Sequence, residues 1–195
     1  MKNNWQNAQN ILKKDGVVVL PTDTLYGIIA SAESKKAVEY IYKIKGRNED
    51  KPFIVLINSY KDLGLFGVKI DKEQAKFLEK IWPGKVSVIL PCMQSKFNYL
   101  HRGTKSIAFR MIGEKNKNLF NLIKKVGPLV APSCNKQGDA PAENITKAKE
   151  YFNNEIDLYI NGGIRKSSPS TLIKYENGKW IILRQGGIKI NIGHL

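Results

Sequence analysis

Val17-Val18-Val19-Leu20-Pro21-Thr22-Asp23-Thr24-Leu25-Tyr26-Gly27 is the run from which the fold class is read. Four consecutive apolar residues form a buried strand, and Pro21 stops it. Three short hydrogen-bonding side chains and a tyrosine follow at the strand end, where open α/β sheets commonly place a ligand. The same residues are also ordinary turn and cap formers, so the run by itself fits either role.

The flanking segments alternate with this strand. Residues 4–14 place Trp5, Ala8, Ile11 and Leu12 on one helical face, with Gly16 just past the end. Residues 35–45 carry Ala37, Val38, Ile41 and Ile44 at helical spacing and deliver Lys45 and Arg47 at the C-terminal end. Cations there also complement the helix dipole. Asn48–Pro52 reads as a polar loop and Phe53–Ile57 as the next buried strand. Helices follow over 71–82, 115–126 and 145–152, the last capped by Asn144. Strands are predicted over 86–90, 107–112, 157–160, 172–175 and 180–186, with a Gly162-Gly163 turn. Residues 91–105 read as loop in which Phe97 and Tyr99 interleave with His101, Arg102 and Lys105, a pattern that also suits single-stranded nucleic acid. Alternating helices and strands without linker or repeat predict one α/β domain over residues 1–195.

At 195 residues the chain can bury one substantial core. No apolar run approaches the roughly 20 residues that span a bilayer. The N-terminal residues lack a signal-peptide core, and Cys92 and Cys134 form no metal-ligand spacing. The reading is a reduced, cytoplasmic protein whose cysteines are small buried residues. A net charge of +15 favours a polyanionic partner, nucleotide or nucleic acid first, although the lysines are spread along the whole chain. Of 32 cationic residues only five are arginine: Arg47, Arg102, Arg110, Arg165 and Arg184. In a lysine-rich chain, each arginine marks a candidate position for a planar bidentate fork.

Several chemistries are excluded. His101 and His194 stand far apart, and no Ser-His-Asp or Cys/His zinc pattern exists. The P-loop signature is absent, and no Gly-x-Gly-x-x-Gly follows the first strand. What remains is a set of cations and small donors near strand ends: Thr24, Lys45, Arg47, Lys51, Ser106, Arg110, Ser133, Asn135, Ser170 and Arg184. Such a set suits a nucleotide with a small carboxylate, and catalysis by positioning and electrostatics without a protein nucleophile. Arg110, among the apolar residues of its strand, must pair with an internal carboxylate or with a ligand's.

The ordered segments Pro21–Gly27, Lys45-Gly46-Arg47, Lys51–Leu56, Trp82–Leu90, Ala108-Phe109-Arg110, Ala131–Asn135, Pro169-Ser170-Thr171 and Leu183–Gly186 resemble the YrdC-like family of L-threonylcarbamoyladenylate synthases. The resemblance covers nearly the whole chain and matches the short, single-domain form. It implies a YrdC/RibB-like fold, a twisted sheet of parallel and antiparallel strands flanked by helices, with a cationic central hollow. It further implies conversion of L-threonine, bicarbonate or CO2, and ATP into threonylcarbamoyl-AMP and pyrophosphate, for modification of tRNA beside the anticodon. Carried over by motif, Lys45, Arg47, Ser133 and Asn135 form the catalytic signature. Arg47, Lys51, Ser106, Ser133, Asn135, Pro141 and Arg184 would surround ATP. Thr24, Arg110, Ala131 and Ser170 would hold threonine. Mg2+ would ride on the phosphates, with no protein metal site. Threonylcarbamoyl transferase proteins are the implied partners, with possible tRNA contact. Cys134 stands where the family usually has alanine, and Leu56 where some relatives place histidine. Two readings compete with the synthase: an RNA- or tRNA-binding module without catalysis, and a carbamoyl-adenylate domain like those inside larger hydrogenase-maturation proteins.

Overall fold

The computed structural model describes residues 2–48 and 50–191. The chain runs α1 (Lys2–Leu12), β1 (Val18–Pro21), β2 (Tyr26–Ser31), α2 (Lys35–Lys45), β3 (Ile54–Ile57), α3 (Lys61–Leu65), α4 (Lys72–Ile81), β4 (Val86–Pro91) and α5 (Asn98–His101). It continues with β5 (Ser106–Met111), α6 (Lys117–Val126), β6 (Leu129–Val130), α7 (Ile145–Phe152), β7 (Leu158–Tyr159), β8 (Thr171–Glu176) and β9 (Lys179–Arg184). The strands form one mixed sheet in the order β7-β1-β2-β6-β3-β5-β4-β8-β9. Neighbours β1/β7, β3/β5 and β4/β8 are parallel, and the other pairs antiparallel.

The valine run of β1 explains the layering. Val18 and Leu20 point into an apolar cluster shared with Ala8 and Leu12 of α1 and Leu119, Leu122 and Ile123 of α6. Val17 and Val19 point the other way, into the larger cluster with α2, α4 and α7. A strand buried on both faces needs no polar alternation, which is why four apolar residues stand in succession. Helix ends follow their caps. Ser34 accepts from the Ala37 amide, Asp71 and Gln74 form a reciprocal capping box, and Asn144 accepts from Lys147 N as the sequence predicts. Gly46 ends α2 at φ 58°, a left-handed turn that costs glycine little, and so redirects the chain into Arg47.

The sequence reading differs from the structure in four places, one of them the two-residue strand β6 (Leu129–Val130), which was not predicted as a strand. Tyr26–Ser31, read only as the end of a loop, is a strand hydrogen-bonded to both β1 and β6. Its Gly-Ile-Ile-Ala pattern lacks alternation because it lies in the sheet interior. The short helix α3 also went unpredicted. The expected open loop at 91–105 is instead a 3-10 turn followed by α5, and Phe97, Tyr99 and His101 are buried. Tyr99 donates to Ala32 O at 2.9 Å, so these rings belong to the core and offer no stacking platform for bases. His194 lies outside the described residues. No described helix is long and apolar enough to cross a membrane.

Candidate active site

Beyond the reach of α1 and α6, the sheet face is bare and becomes the floor of a cavity of about 710 Å3, well within the range of small-molecule sites. Ile54, Ala108 and Ile89 stand in register across β3, β5 and β4, with Leu172 on β8 beside them. This apolar floor is ringed by polar groups. Of the twelve residues that the sequence predicts for the site, ten line this one cavity: Thr24, Arg47, Lys51, Ser106, Arg110, Ala131, Ser133, Pro141, Ser170 and Arg184. Segments up to 160 residues apart therefore converge by folding alone.

The other two, Lys45 and Asn135, do not reach the wall. Lys45 is 1% exposed, and its ammonium donates inward to the carbonyls of Ser133 (2.6 Å) and Asn135 (2.5 Å). Burial lowers its pKa to about 8, and the nearby charge of Arg47 adds to the effect. Asn135 accepts from Ser133 Oγ at 2.6 Å and donates to Lys136 O and Asp139 O. Both side chains are engaged in shaping the Ser133–Asn135 turn, and neither lines the cavity. The turn is fastened to β2, with Cys134 N on Tyr26 O and Ile28 N on Pro132 O, each at 2.9 Å.

Arg47 is held by its Nε, which donates to Lys51 O at 3.0 Å, and its guanidinium lies over the Phe53 ring at 5.2 Å. Among the described residues no carboxylate lies within ion-pair distance of it. Arg47 itself lines the cavity. Lys51 and Asp50 line the same wall. A second cationic station sits on the floor. Arg110 is 4% exposed and pairs through Nη2 with Asp23 at 2.9 Å, while its buried Nε has no hydrogen-bond partner. Burial lowers the pKa of Arg110, Asp23 opposes this, and neighbouring Arg184 pushes it further down. Arg184 is clamped on Ser170, donating from Nε and Nη2 to its carbonyl. Ser170 Oγ in turn lies 2.9 Å from the buried Ser87 Oγ. The chain can lie this close because residue 186 is glycine: a Cβ there would fall 2.2 Å from Pro169 O.

The run that opens with β1 supplies one rim. Thr22 N and Oγ1 both donate to Leu25 O, at 3.0 and 2.7 Å, a tight turn that presents Thr24 to the cavity. Tyr26 donates to Gly163 O and accepts from Gly162 N, both at 2.8 Å, tying the segment before β8 to β2. Thr22, Tyr26, Asp50 and Thr104 line the cavity but escaped the residue predictions. The first two stand inside the quoted run, where their chemistry was legible. Asp50 and Thr104 adjoin Lys51 and Ser106 with no pattern to mark them. Leu56 does not line the cavity: it is fully buried in the smaller apolar cluster, opposite Arg110 in register.

Cys92 and Cys134 are both free and buried, as expected from their lack of spacing. Burial pushes the Cys134 thiol up to about 12 and also raises that of Cys92. Neither thiol should react with an aromatic disulfide reagent at pH 7.5 until denaturant is added, since thiolate is the reactive species. Stoichiometric labelling of the native protein would contradict this burial.

The profile of the Sua5/YciO/YrdC family, described as "Telomere recombination", matches residues 10–186, and the chain belongs to that family. A threonylcarbamoyl-AMP synthase of Pyrococcus abyssi is 30% identical over 185 residues, covering 94% of this chain and 54% of the relative. One from Bacillus subtilis is 32% identical over 189 residues, covering 93% and 53%. The chain thus spans about half the length of these curated relatives. A threonylcarbamoyl-AMP synthase of Cellvibrio japonicus, 26% identical, is matched over 85% of this chain and 87% of its own length. Among solved structures, P. abyssi Sua5 complexed with L-threonine superposes with a TM-score of 0.86 at 29% identity, covering 94% of this chain and 54% of that one. Escherichia coli YciO superposes at 0.83 with 23% identity, over 95% and 90%, which supports the fold alone.

Proposed function

We propose that this chain is a threonylcarbamoyl-AMP synthase, joining L-threonine, bicarbonate or CO2, and ATP with release of pyrophosphate. One observation carries the reading: a single cavity contains two cationic stations, Arg47 with Lys51 and the buried Arg110, with Arg184 also lining it, over an apolar floor. The named relatives and their L-threonine complex point the same way.

In this reading the Arg110 station, with its unpartnered buried Nε, takes the amino acid carboxylate beside Thr24, Ala131 and Ser170. The Arg47 station takes the phosphates with Lys51, Ser106, Ser133 and Arg184, and Pro141 borders the nucleotide. Lys45 and Asn135 serve from beneath, by holding Ser133. The threonine amine adds to CO2 to give a carbamate and releases a proton. A carbamate oxygen then bonds to the α-phosphorus as the bond to pyrophosphate breaks. Fixed cations that stabilise the charge developing on the phosphoryl oxygens supply the catalysis, with no covalent enzyme intermediate. Among the described residues Asp50 is the one carboxylate lining the cavity, and no cluster of three metal-binding side chains exists among them. Magnesium accompanying ATP fits this donor set only as an ion carried by the phosphates and water. The labile product would pass to a threonylcarbamoyl transferase acting on tRNA.

The test is pyrophosphate release by the purified chain, with and without L-threonine and bicarbonate. Release should require both, and Arg47→Ala should lower it by about 100-fold, as for loss of one charged transition-state donor. Background release from the wild type together with salt-sensitive tRNA binding would overturn the synthase and leave an RNA-binding member of the family.

A further inference from the structure

Arg47 is not fixed by any group in the cavity alone. Behind it runs a chain of ring and cation contacts that leads out through α2 to α5. Phe53, under the Arg47 guanidinium, stacks on Tyr42 with ring centroids 4.0 Å apart and planes 20° from parallel. The Arg102 guanidinium lies 3.9 Å from the Tyr42 centroid, and Glu39 holds it bidentately at 3.0 and 2.7 Å. The Tyr42 hydroxyl donates to Lys51 O at 3.1 Å, the same carbonyl that receives Arg47 Nε. One acceptor and one stacked ring pair therefore connect Arg102 to Arg47. Neither Tyr42 nor Arg102 touches the cavity.

We propose that Tyr42 and Arg102 are positioning residues for Arg47, aiming its guanidinium fork into the cavity through the Tyr42–Phe53 stack and the shared Lys51 carbonyl. The function of the aim rests on the reading of the cavity as a nucleotide site. The physical case is entropic. An arginine on a loop has four rotatable side-chain bonds, and a free guanidinium would lose that freedom on binding each phosphate. Here Nε is already bonded and one face already covered, so the fork is ordered before the ligand arrives. The ring stack is itself braced, because a planar cation fixed by Glu39 lies over Tyr42. Lysine at 102 could supply charge but neither the fork nor the flat contact.

Two readouts test this, one of which needs no ligand. In the free protein the Arg47 Nε–H should give a resolved, exchange-protected nitrogen-15 resonance, identified by its disappearance in Arg47→Ala. In Tyr42→Leu and in Arg102→Gln that protection should fall severalfold while the thermal transition stays cooperative. Should Tyr42→Leu fail to fold, Arg102→Gln, which leaves every apolar core residue in place, decides the matter. Unchanged protection in Arg102→Gln overturns the proposal. The second readout is ATP affinity in a double-substitution cycle. Arg102→Gln should weaken ATP binding about tenfold in the wild type and less than about twofold in Arg47→Ala, the non-additivity expected of coupled residues. Equal weakening in both backgrounds would mean that Arg102 acts on the fold at large, and would also overturn the proposal. Absence of ATP binding by the wild type would sink the nucleotide reading, while the Nε–H readout would still decide whether Arg102 and Tyr42 position Arg47.

Discussion

Arg110→Met should destabilise the protein by about 3–5 kcal/mol, the cost of leaving one member of a buried ion pair without its partner. Arg110 and Asp23 both have side chains that are 5% exposed, and 2.9 Å separates Nη2 from the carboxylate. Methionine roughly preserves the volume but strands Asp23 in a place that water barely reaches. The control is Asp23→Leu/Arg110→Met, which removes both charges and should recover most of the lost stability. Replacing a buried pair with apolar groups of similar size is often neutral. Urea unfolding of the three proteins reads this directly, and a single variant as stable as the wild type would mean that the pair is not sealed from solvent. The same double variant separates stability from recognition. It should fold, yet its pyrophosphate release should respond far less to L-threonine, because the guanidinium assigned to the carboxylate is gone. A restored threonine response would remove Arg110 from the amino acid station.

This pair also shows what a sequence can and cannot disclose. That Arg110 needs a carboxylate was legible from its place among apolar strand residues. Which carboxylate was not, because Asp23 lies 87 positions earlier in a run whose Thr and Asp residues also suit a plain turn. The longer helices were legible because each has one apolar stripe, and α2, α4 and α7 a polar N-cap besides, whereas α3 and α5, five and four residues long, are too short to show a stripe. The interior strand Tyr26–Ser31 was not, since its Tyr-Gly opening continues the turn-forming run and leaves only Ile28-Ile29-Ala30, a shorter apolar run than that of β1. The aromatic–cation mixture at 91–105 misled for a related reason: composition does not report direction, and the rings of Phe97 and Tyr99 point into the core. Lys45 is the sharpest case. Spacing places it two residues from Arg47 as a twin cation, yet the αL turn at Gly46 sends the two side chains to different tasks.

That division of tasks predicts the effect of Lys45→Met. The ammonium satisfies two carbonyls that the Ser133–Asn135 turn directs inward. Methionine fills the space and bonds to neither; Ser133 O keeps its bond from Asn135 N at 3.1 Å, so one carbonyl, that of Asn135, is stranded and a loss of about 1–3 kcal/mol is expected. Ser133 should lose its placement, and pyrophosphate release should fall at least as far as in Arg47→Ala even at temperatures where the variant remains folded. The pH dependence has a definite sign. Lys45 titrates at about 8 in the folded chain against 10.5 for an ordinary lysine, so between those values the unfolded chain holds the extra proton. Stability contributed through this group is therefore complete above pH 10.5 and lost as the pH falls through about 8, where folding must bury the charge. A neutral amine still donates to carbonyls, so deprotonation removes the desolvation cost and leaves the turn intact. The stability gap between wild type and Lys45→Met should accordingly widen as the pH is raised from 8 to 10. Urea unfolding of both proteins at pH 7, 8, 9 and 10 measures that gap. A gap that stays constant would place the Lys45 titration outside this range, and with it the account of Lys45 as a buried, turn-holding cation.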